Sequence, residues 1–253
     1  MLEEPYRWVE AINNRREYLD DQLSGGSPVV GMTYADGVLL LTATPGPRKL
    51  FEVYNEIAFA AVGHPADIEK LRKAAIDIAH IEGFNLSARD VTLQRLVSFG
   101  IGPMMKAAFD EIFRSPFIAR VMLAELDQEN GGGLFYTIDS DGSFSQSGRI
   151  AALSGTEASA QAMMAKLAAS GENLALDEAL GMALEVWGLG RLALDAAVDQ
   201  IPDDSAVLDF LKGGLEGLKV EAAVLDRNRL TKSKFDLLAE DALVPSLAAY
   251  GGG

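Results

Sequence analysis

Two apolar runs face each other across an Asp-Gly turn. VVGMTY (29–34) and GVLLLT (37–42) flank Ala35-Asp36-Gly37, the short-range signal for a tight β-hairpin, so residues 29–42 form two antiparallel neighbours in a sheet. KLFEVY and EIAFAAVG, parted by Asn55, supply two more short strands that end at Gly63. Ahead of the hairpin, residues 5–24 set Val9, Ile12, Leu19 and Leu23 at helical spacing, with Pro5 at a first helical position and Gly25-Gly26 as the stop. An amphipathic helix therefore precedes the first strand.

The same reading continues down the chain. HPADIEKLRKAAIDIAHIEG (64–83) predicts a helix, with Pro65 in its first turn, acids Asp67 and Glu69 where the helix dipole favours them, and Ile68, Leu71, Ala75 and Ile78 on one face. Ser87-x-x-Asp90 resembles a capping box opening a longer helix to about Phe113, kinked or broken near Gly100, Gly102 and Pro103. IARVMLAEL predicts a strand, GLFYTIDSDGSFSQSG a hairpin turning at Asp141-Gly142, and IAALSG a buried strand. Helices over 156–170 and 174–200 follow, their Met163 and Met164 read as core filler. IPDDSAVLDFLKGG predicts a connection or short helix, LKVEAAVLDRN a strand, and FDLLAEDALVPSLAAY a last helix. No repeat or low-complexity linker divides the chain. The order suggests helices on both faces of two stacked sheets.

Composition narrows the function classes. With 253 residues and 49% hydrophobic content, a sizeable core is expected. A formal charge of -15 repels phosphate backbones and anionic headgroups, which argues against nucleic-acid and membrane-surface partners. No cysteine is present, which removes disulfides, thiolate metal sites and cysteine nucleophiles together and fits a reducing compartment. The opening MLEEPYRW has no apolar core, so no signal peptide is expected, and no apolar run approaches the roughly 20 residues of a membrane span. These features point to the cytoplasm.

VVGMTYADGVLLL, KLFEVYNEIAFAAVG followed by ADIEKLRKAAIDIA, ARDVT, SPFIARVMLAELD, LFYTIDSDGSF and EAAVLDRN, in that order through nearly the whole chain, resemble the proteasome core-particle family of N-terminal-nucleophile hydrolases, most closely its bacterial α-type subunits. The resemblance implies an α/β (α+β) fold: a four-layer αββα sandwich of two stacked, mainly antiparallel sheets flanked by helices, with an extra N-terminal helix. Residues 1–26 would be a gate segment and helix, and 27–253 a single αββα domain.

The family's β-type members cut peptides with an N-terminal threonine assisted by an aspartate and a lysine. Counting from Gly31 puts the nucleophile position at Ser27, the aspartate position at Ala43 and the lysine position at Lys49. A hydroxyl needs a base to take its proton, and a free α-amine serves only once the preceding segment is gone. Pro28 follows Ser27, Ala43 has no carboxylate, and WGLGRLALDAAVDQ stands where active members carry Asp-x-x-Ser-Gly. Ser154-Gly155 is the one auxiliary element that survives. The catalytic set is degenerate, and no catalytic residue is expected.

An α-type subunit, by the same resemblance, forms a ring of seven, caps a β-type protease ring, and gates unfolded substrates with its first residues, here Met1, Leu2, Glu3, Glu4, Pro5 and Tyr6. Lys49 would line the pocket between neighbours and pair with the C-terminal carboxylate of a docking AAA-type ring ATPase. The contact surfaces would be the N-terminal helix and the helices of 65–113. Two alternatives stand beside this: a self-processed peptidase using Ser27 with Lys49, and a proteasome-like scaffold that assembles alone. No cofactor is expected. His64 and His80 read as helix-entry and helix-end residues and not as metal ligands, and Asp139-Ser140-Asp141-Gly142 lacks the later ligands of a calcium loop. Gly131 to Gly133 and Gly251 to Gly253 read as connectors, and Asp20-Asp21, Asp127/Glu129 and Asp203-Asp204 as solvated acids.

Overall fold

The computed structural model describes residues 4–111, 113–127, 132–195, 201–215, 217–248 and 250. Helix α1 (Glu4–Leu23) leads into β1 (Val29–Tyr34) and β2 (Gly37–Thr44), with Tyr34 opposite Gly37, so Ala35 and Asp36 make the two-residue turn. A Cβ at Gly37 would lie 1.9 Å from the Leu225 carbonyl oxygen, which is why the turn must end in glycine. Then come β3 (Leu50–Tyr54), β4 (Ile57–Gly63), β5 (Ala119–Leu126), β6 (Gly133–Ile138), β7 (Phe144–Ser147), β8 (Ile150–Leu153), β9 (Lys219–Asp226) and β10 (Phe235–Leu237). They pair into two five-stranded sheets, ordered β10-β9-β2-β1-β8 and β3-β4-β5-β6-β7. Every pairing between them is antiparallel.

The inner strands β2 and β4 read as nearly unbroken apolar runs because both of their faces are covered. Along β2, Val38 and Leu40 enter the core between the sheets, while Leu39, Leu41 and Ala43 enter the core under the helices. In β4, Ala58, Ala60 and Val62 face the other sheet, and Ile57, Phe59 and Ala61 face helix α2 (Pro65–Asn85). With period-2 alternation feeding three apolar layers, a one-residue slip in register would exchange two cores, so the register is strongly specified. Gly31, the reference for the site positions, sits where a Cβ would meet Phe135 Cε1 at 2.7 Å and Met122 Sδ at 2.9 Å.

Helix α2 opens at His64, whose Nδ1 accepts from the Ala66 N–H at 3.3 Å, with Pro65 in the first turn. His80 lies on the same helix, its Nδ1 bonded to the Ile76 carbonyl and its ring edge-on to Tyr54. The next helix starts later than its predicted cap. The Ser87 hydroxyl spends its donor on the Asp90 carboxylate at 2.7 Å, and Val91 is buried in extended chain. Thr92 caps instead, opening α3 (Leu93–Arg95). A π-helical segment, Leu96–Ile101, then carries the chain into α4 (Gly102–Asp110). The glycine-rich middle thus widens the helix, and Gly100 lets Ile78 approach to where a Cβ would be 2.7 Å from its Cδ1. Helix α4 stops at Asp110, short of Phe113, where the Arg15 guanidinium takes the carbonyls of Ala108 and Glu111, each at 3.2 Å.

On the other face lie α5 (Glu157–Ala168), α6 (Leu176–Leu194), α7 (Asp204–Gly214) and α8 (Glu240–Ala248), packed over Trp187, Met163 and Leu184. Asp203 caps α7 by accepting from the Ala206 N–H at 2.8 Å. The segment predicted as one last helix divides: Phe235–Leu237 becomes β10, because Phe235 pairs with Leu225 of β9, and only α8 is helical. Residues 196–200, the predicted end of α6, together with Glu129, Gly131 and Gly251 to Gly253, lie outside the described residues. Layer by layer the chain is an αββα sandwich with an added N-terminal helix.

Candidate functional site

Three positions far apart in sequence, Ser27, Ala43 and Lys49, meet at one end of the sandwich. Ser27 precedes β1, and its hydroxyl donates to the Ala43 carbonyl at 2.5 Å while accepting from Trp187 Nε1 at 3.2 Å. Lys49 closes the β2–β3 loop and donates from Nζ to the Ser27 carbonyl at 3.3 Å. Its own N–H donates to Glu221 Oε2 at 3.1 Å, and Glu221 is a buried carboxylate opposite Thr42 on β9. Burial pushes the Lys49 ammonium down to about 8, with the Glu221 charge acting in the opposite sense.

Among the described residues, no side-chain base accepts the Ser27 hydroxyl proton. The Ser27 proton points to a backbone carbonyl, Lys49 reaches the Ser27 backbone oxygen and not the hydroxyl, and position 43 has a methyl group. The Ser27 nitrogen is in peptide linkage to Gly26. Sequence alone places Trp187 on the apolar face of a helix and gives neither it nor Glu221 a role beside Ser27. Glu221 left a signal, a lone acid inside the apolar run LKVEAAVL, whereas Trp187 looked like any core aromatic on α6.

The segment ahead of Ser27 is built into the fold. Leu19 and Leu23 are fully buried, and a Cβ on Gly26 would lie 2.2 Å from Val62 Cγ1. Gly155 lies against the end of α1, where a Cβ would meet the Leu23 carbonyl at 2.2 Å. One guanidinium ties the elements together: Arg120 of β5 donates to Asp20 of α1 at 2.8 Å, to Asp139 at 3.0 Å, and to the carbonyls of Ser154 at 3.1 Å and Gly155 at 2.7 Å. The Ser154 hydroxyl is committed to Ser159 at 2.7 Å, which in turn donates to the Gly190 carbonyl at 2.7 Å. Ser154 therefore ties the end of β8 to α5, and Ser159 carries the bonding on to α6. Asp139 and Asp141 hold their hairpin turn by accepting from the N–H groups of Ser140 and Ser143.

Beside Ser27 opens a cleft of about 460 Å³, with Lys49 within and apolar walls from Pro45, Pro47, Phe51, Pro65 and Ile68. On its α2 side, Arg72 lies 5.0 Å over the Phe51 ring and grips Glu69 with two bonds of 2.8 and 2.9 Å. Those bonds hold the Glu69 carboxyl down to about 2. A partly dry ammonium that, among the described residues, donates only to the Ser27 carbonyl, at the end of an apolar slot, suits a terminal carboxylate that carries apolar side chains behind it. Of the predicted gate, Met1, Leu2 and Glu3 lie outside the described residues, while the backbone of Glu4, Pro5 and Tyr6 forms the first turn of α1. Trp8, Val9 and Tyr18 on α1, and Ile81, Phe84, Leu86 and Phe99 around the end of α2, are large apolar side chains left exposed.

Comparison with known proteins gives concordant matches. A family model described as proteasome subunit matches residues 23–187. The proteasome subunit alpha of Renibacterium salmoninarum is 30% identical over 208 residues, covering 79% of this chain and 81% of that protein. The proteasome subunit alpha of Actinosynnema mirum is 29% identical over 223 residues, 87% of this chain and 78% of the relative. That of Gordonia bronchialis is 30% identical over 254 residues, covering 96% and 90%.

Proposed function

The chain belongs to the proteasome subunit family as an α-type subunit, and from that premise we propose that it is a non-catalytic ring component that gates a β-type protease and receives a ring-shaped ATPase. Identical subunits with heterologous contacts close into a ring when the rotation between them closes, here taken as seven copies. The apolar side chains exposed on α1 and near the end of α2 supply surface for such contacts. Residues 1–26 form the gate and its supporting helix, the remaining chain one αββα domain, and unfolded proteins are the cargo. The compartment is the cytoplasm.

The observation that carries the non-catalytic reading is the bonding of Ser27: its hydroxyl is held between the Ala43 carbonyl and the Trp187 indole, behind a packed α1. Self-processing would have to remove a helix whose Leu19 and Leu23 are core residues. The rival reading, a peptidase with Ser27 as first residue, draws on Lys49, whose lowered affinity for its proton beside Ser27 is what a base would need. Intact mass of the chain after co-expression with a β-type subunit decides between them. We expect the 27.0 kDa chain to persist; loss of residues 1–26 would overturn the gating role in favour of the peptidase.

A further inference from the structure

We propose that the cleft beside Ser27 selects an acidic C-terminal tail, with Lys49 taking the terminal carboxylate and Arg48 an acidic side chain a few residues before it. This rests on the docking role given to Lys49 above and adds a selectivity that Lys49 alone does not supply.

Charge at the cleft runs against the charge of the chain. Lys and Arg total 22 against 37 Asp and Glu, yet the cleft and its α2 flank gather Arg48, Lys49, Arg72 and Lys73. The acids there are already used. Glu69 is shared by Arg72 at 2.8 Å and Lys73 at 3.4 Å, and Glu221 lies buried beneath the loop with the Lys49 N–H on its carboxylate. Arg48 is exposed, lines the cleft, and among the described residues makes no ion pair and no side-chain hydrogen bond. Its guanidinium is thus an unneutralised, planar donor set at the cleft mouth, the geometry that takes a carboxylate in two parallel bonds.

The loop fixes where the Arg48 backbone stands. Pro45 and Pro47 lock φ on either side of Gly46, and Pro47 sets the chain entering Arg48. Consecutive Cα atoms are about 3.8 Å apart, so the Arg48 and Lys49 side chains leave the loop next to each other, and both line the cleft. An extended tail advances about 3.3 Å per residue, which puts the side chain two residues before the terminal one about 7 Å back from the carboxylate end. That spacing lets Lys49, inside, hold the terminus while Arg48, at the rim, meets the upstream side chain. A neutral or basic tail would keep the first contact and lose or oppose the second.

The test uses the assembled particle and three fluorescent hexapeptides ending in two leucines: one with glutamate third from the end, one with glutamine there, and the glutamate peptide with its terminus amidated. By anisotropy at low salt, the glutamate peptide should bind about fivefold tighter than the glutamine peptide, a preference that fades in high salt because the Arg48 site is exposed. Arg48→Gln should erase the preference with the glutamine peptide's affinity unchanged, and Arg48→Lys should restore part of it. If Arg48→Gln leaves the glutamate preference intact, the Arg48 assignment falls while carboxylate docking stands. If the amidated peptide binds as well as the free acid, docking at Lys49 falls too.

Discussion

The Trp187 indole N–H donates to the Ser27 hydroxyl at 3.2 Å, although the two residues are 160 positions apart. A nucleophile needs its hydroxyl proton drawn toward a base; this one is drawn toward the Ala43 carbonyl. The Ser27 hydroxyl joins the end of β2 to α6 and acts as a structural bridge.

Ser27→Ala should therefore be a stability variant and not an activity variant. It strands a buried indole N–H and a carbonyl, at a cost of about 1–3 kcal/mol by urea denaturation of the isolated chain. Hydrolysis of short peptides by the particle formed with β-type subunits should be unchanged. A loss of hydrolysis proportional to the share of variant chain would mean that Ser27 is the nucleophile after all.

Lys49→Ala should separate docking from chemistry. Without the ammonium, activator-stimulated degradation of a folded substrate should drop at least tenfold, while short peptides are cut at the original rate by a particle with an opened gate. With wild-type chain, burial holds Lys49 near 8, so a carboxylate tail should bind well below that pH and progressively less above it as the ammonium deprotonates. Flat affinity between pH 6.5 and 9.5 would rule out Lys49 as the anchor.

How much of this was legible in the chain depends on how local each feature is. The hairpin at Asp36-Gly37 was readable because turn chemistry and flanking apolar runs lie within 14 residues of one another. β10 was not. FDLLAEDALV has helix-like apolar spacing, and only the edge of β9, offering Leu225, Val224 and Ala223 to Phe235, Asp236 and Leu237, draws the first three residues into a sheet. The positions Ser27, Ala43 and Lys49 came from a resemblance and do meet in space, but what surrounds them is set by residues over 100 positions away, Trp187 and Glu221. A single sequence displays no such long-range partner. Arg120 was hidden for the same reason, being one more basic residue in an apolar strand.

Arg120→Ala should loosen the hold of the sandwich on α1 without releasing the helix, whose Leu19 and Leu23 stay in the core. The guanidinium is mostly buried, with 13% of its side chain exposed, and it satisfies two backbone carbonyls as well as two carboxylates. Asp20 and Asp139 remain well solvated, so most of the loss comes from the orphaned carbonyls of Ser154 and Gly155, about 2–3 kcal/mol in all. Amide exchange should speed up along α1 and at residues 154–156 and stay slow in β4 and β5. Asp20→Asn, which leaves the carbonyl contacts in place, should cost less than about 1 kcal/mol; equal effects from the two variants would mean that the ion pair, and not the carbonyls, carries the tether.

A partly buried acid gives the fold a pH dependence of definite sign. Glu125 on β5 accepts from the Leu93 N–H at 3.2 Å, at the start of α3. Burial pushes its carboxyl up to about 7, the Leu93 bond opposes this, and the Glu56 and Asp127 charges nearby add to it. Because the folded chain holds this proton more tightly than the unfolded chain, whose value is near 4.5, the contribution is fully present below about 4.5. It is lost as pH rises through about 7, so the wild-type chain carries a partly desolvated negative charge above that point. Glu125→Gln keeps an oxygen for the Leu93 N–H and removes the titration. Thermal unfolding should thus find the variant and wild type alike at pH 4.5, and the variant more stable at pH 8 by on the order of 2 kcal/mol. If the difference between the two chains is the same at both pH values, Glu125 titrates as an ordinary carboxylate and its proton plays no part in holding α3 to β5.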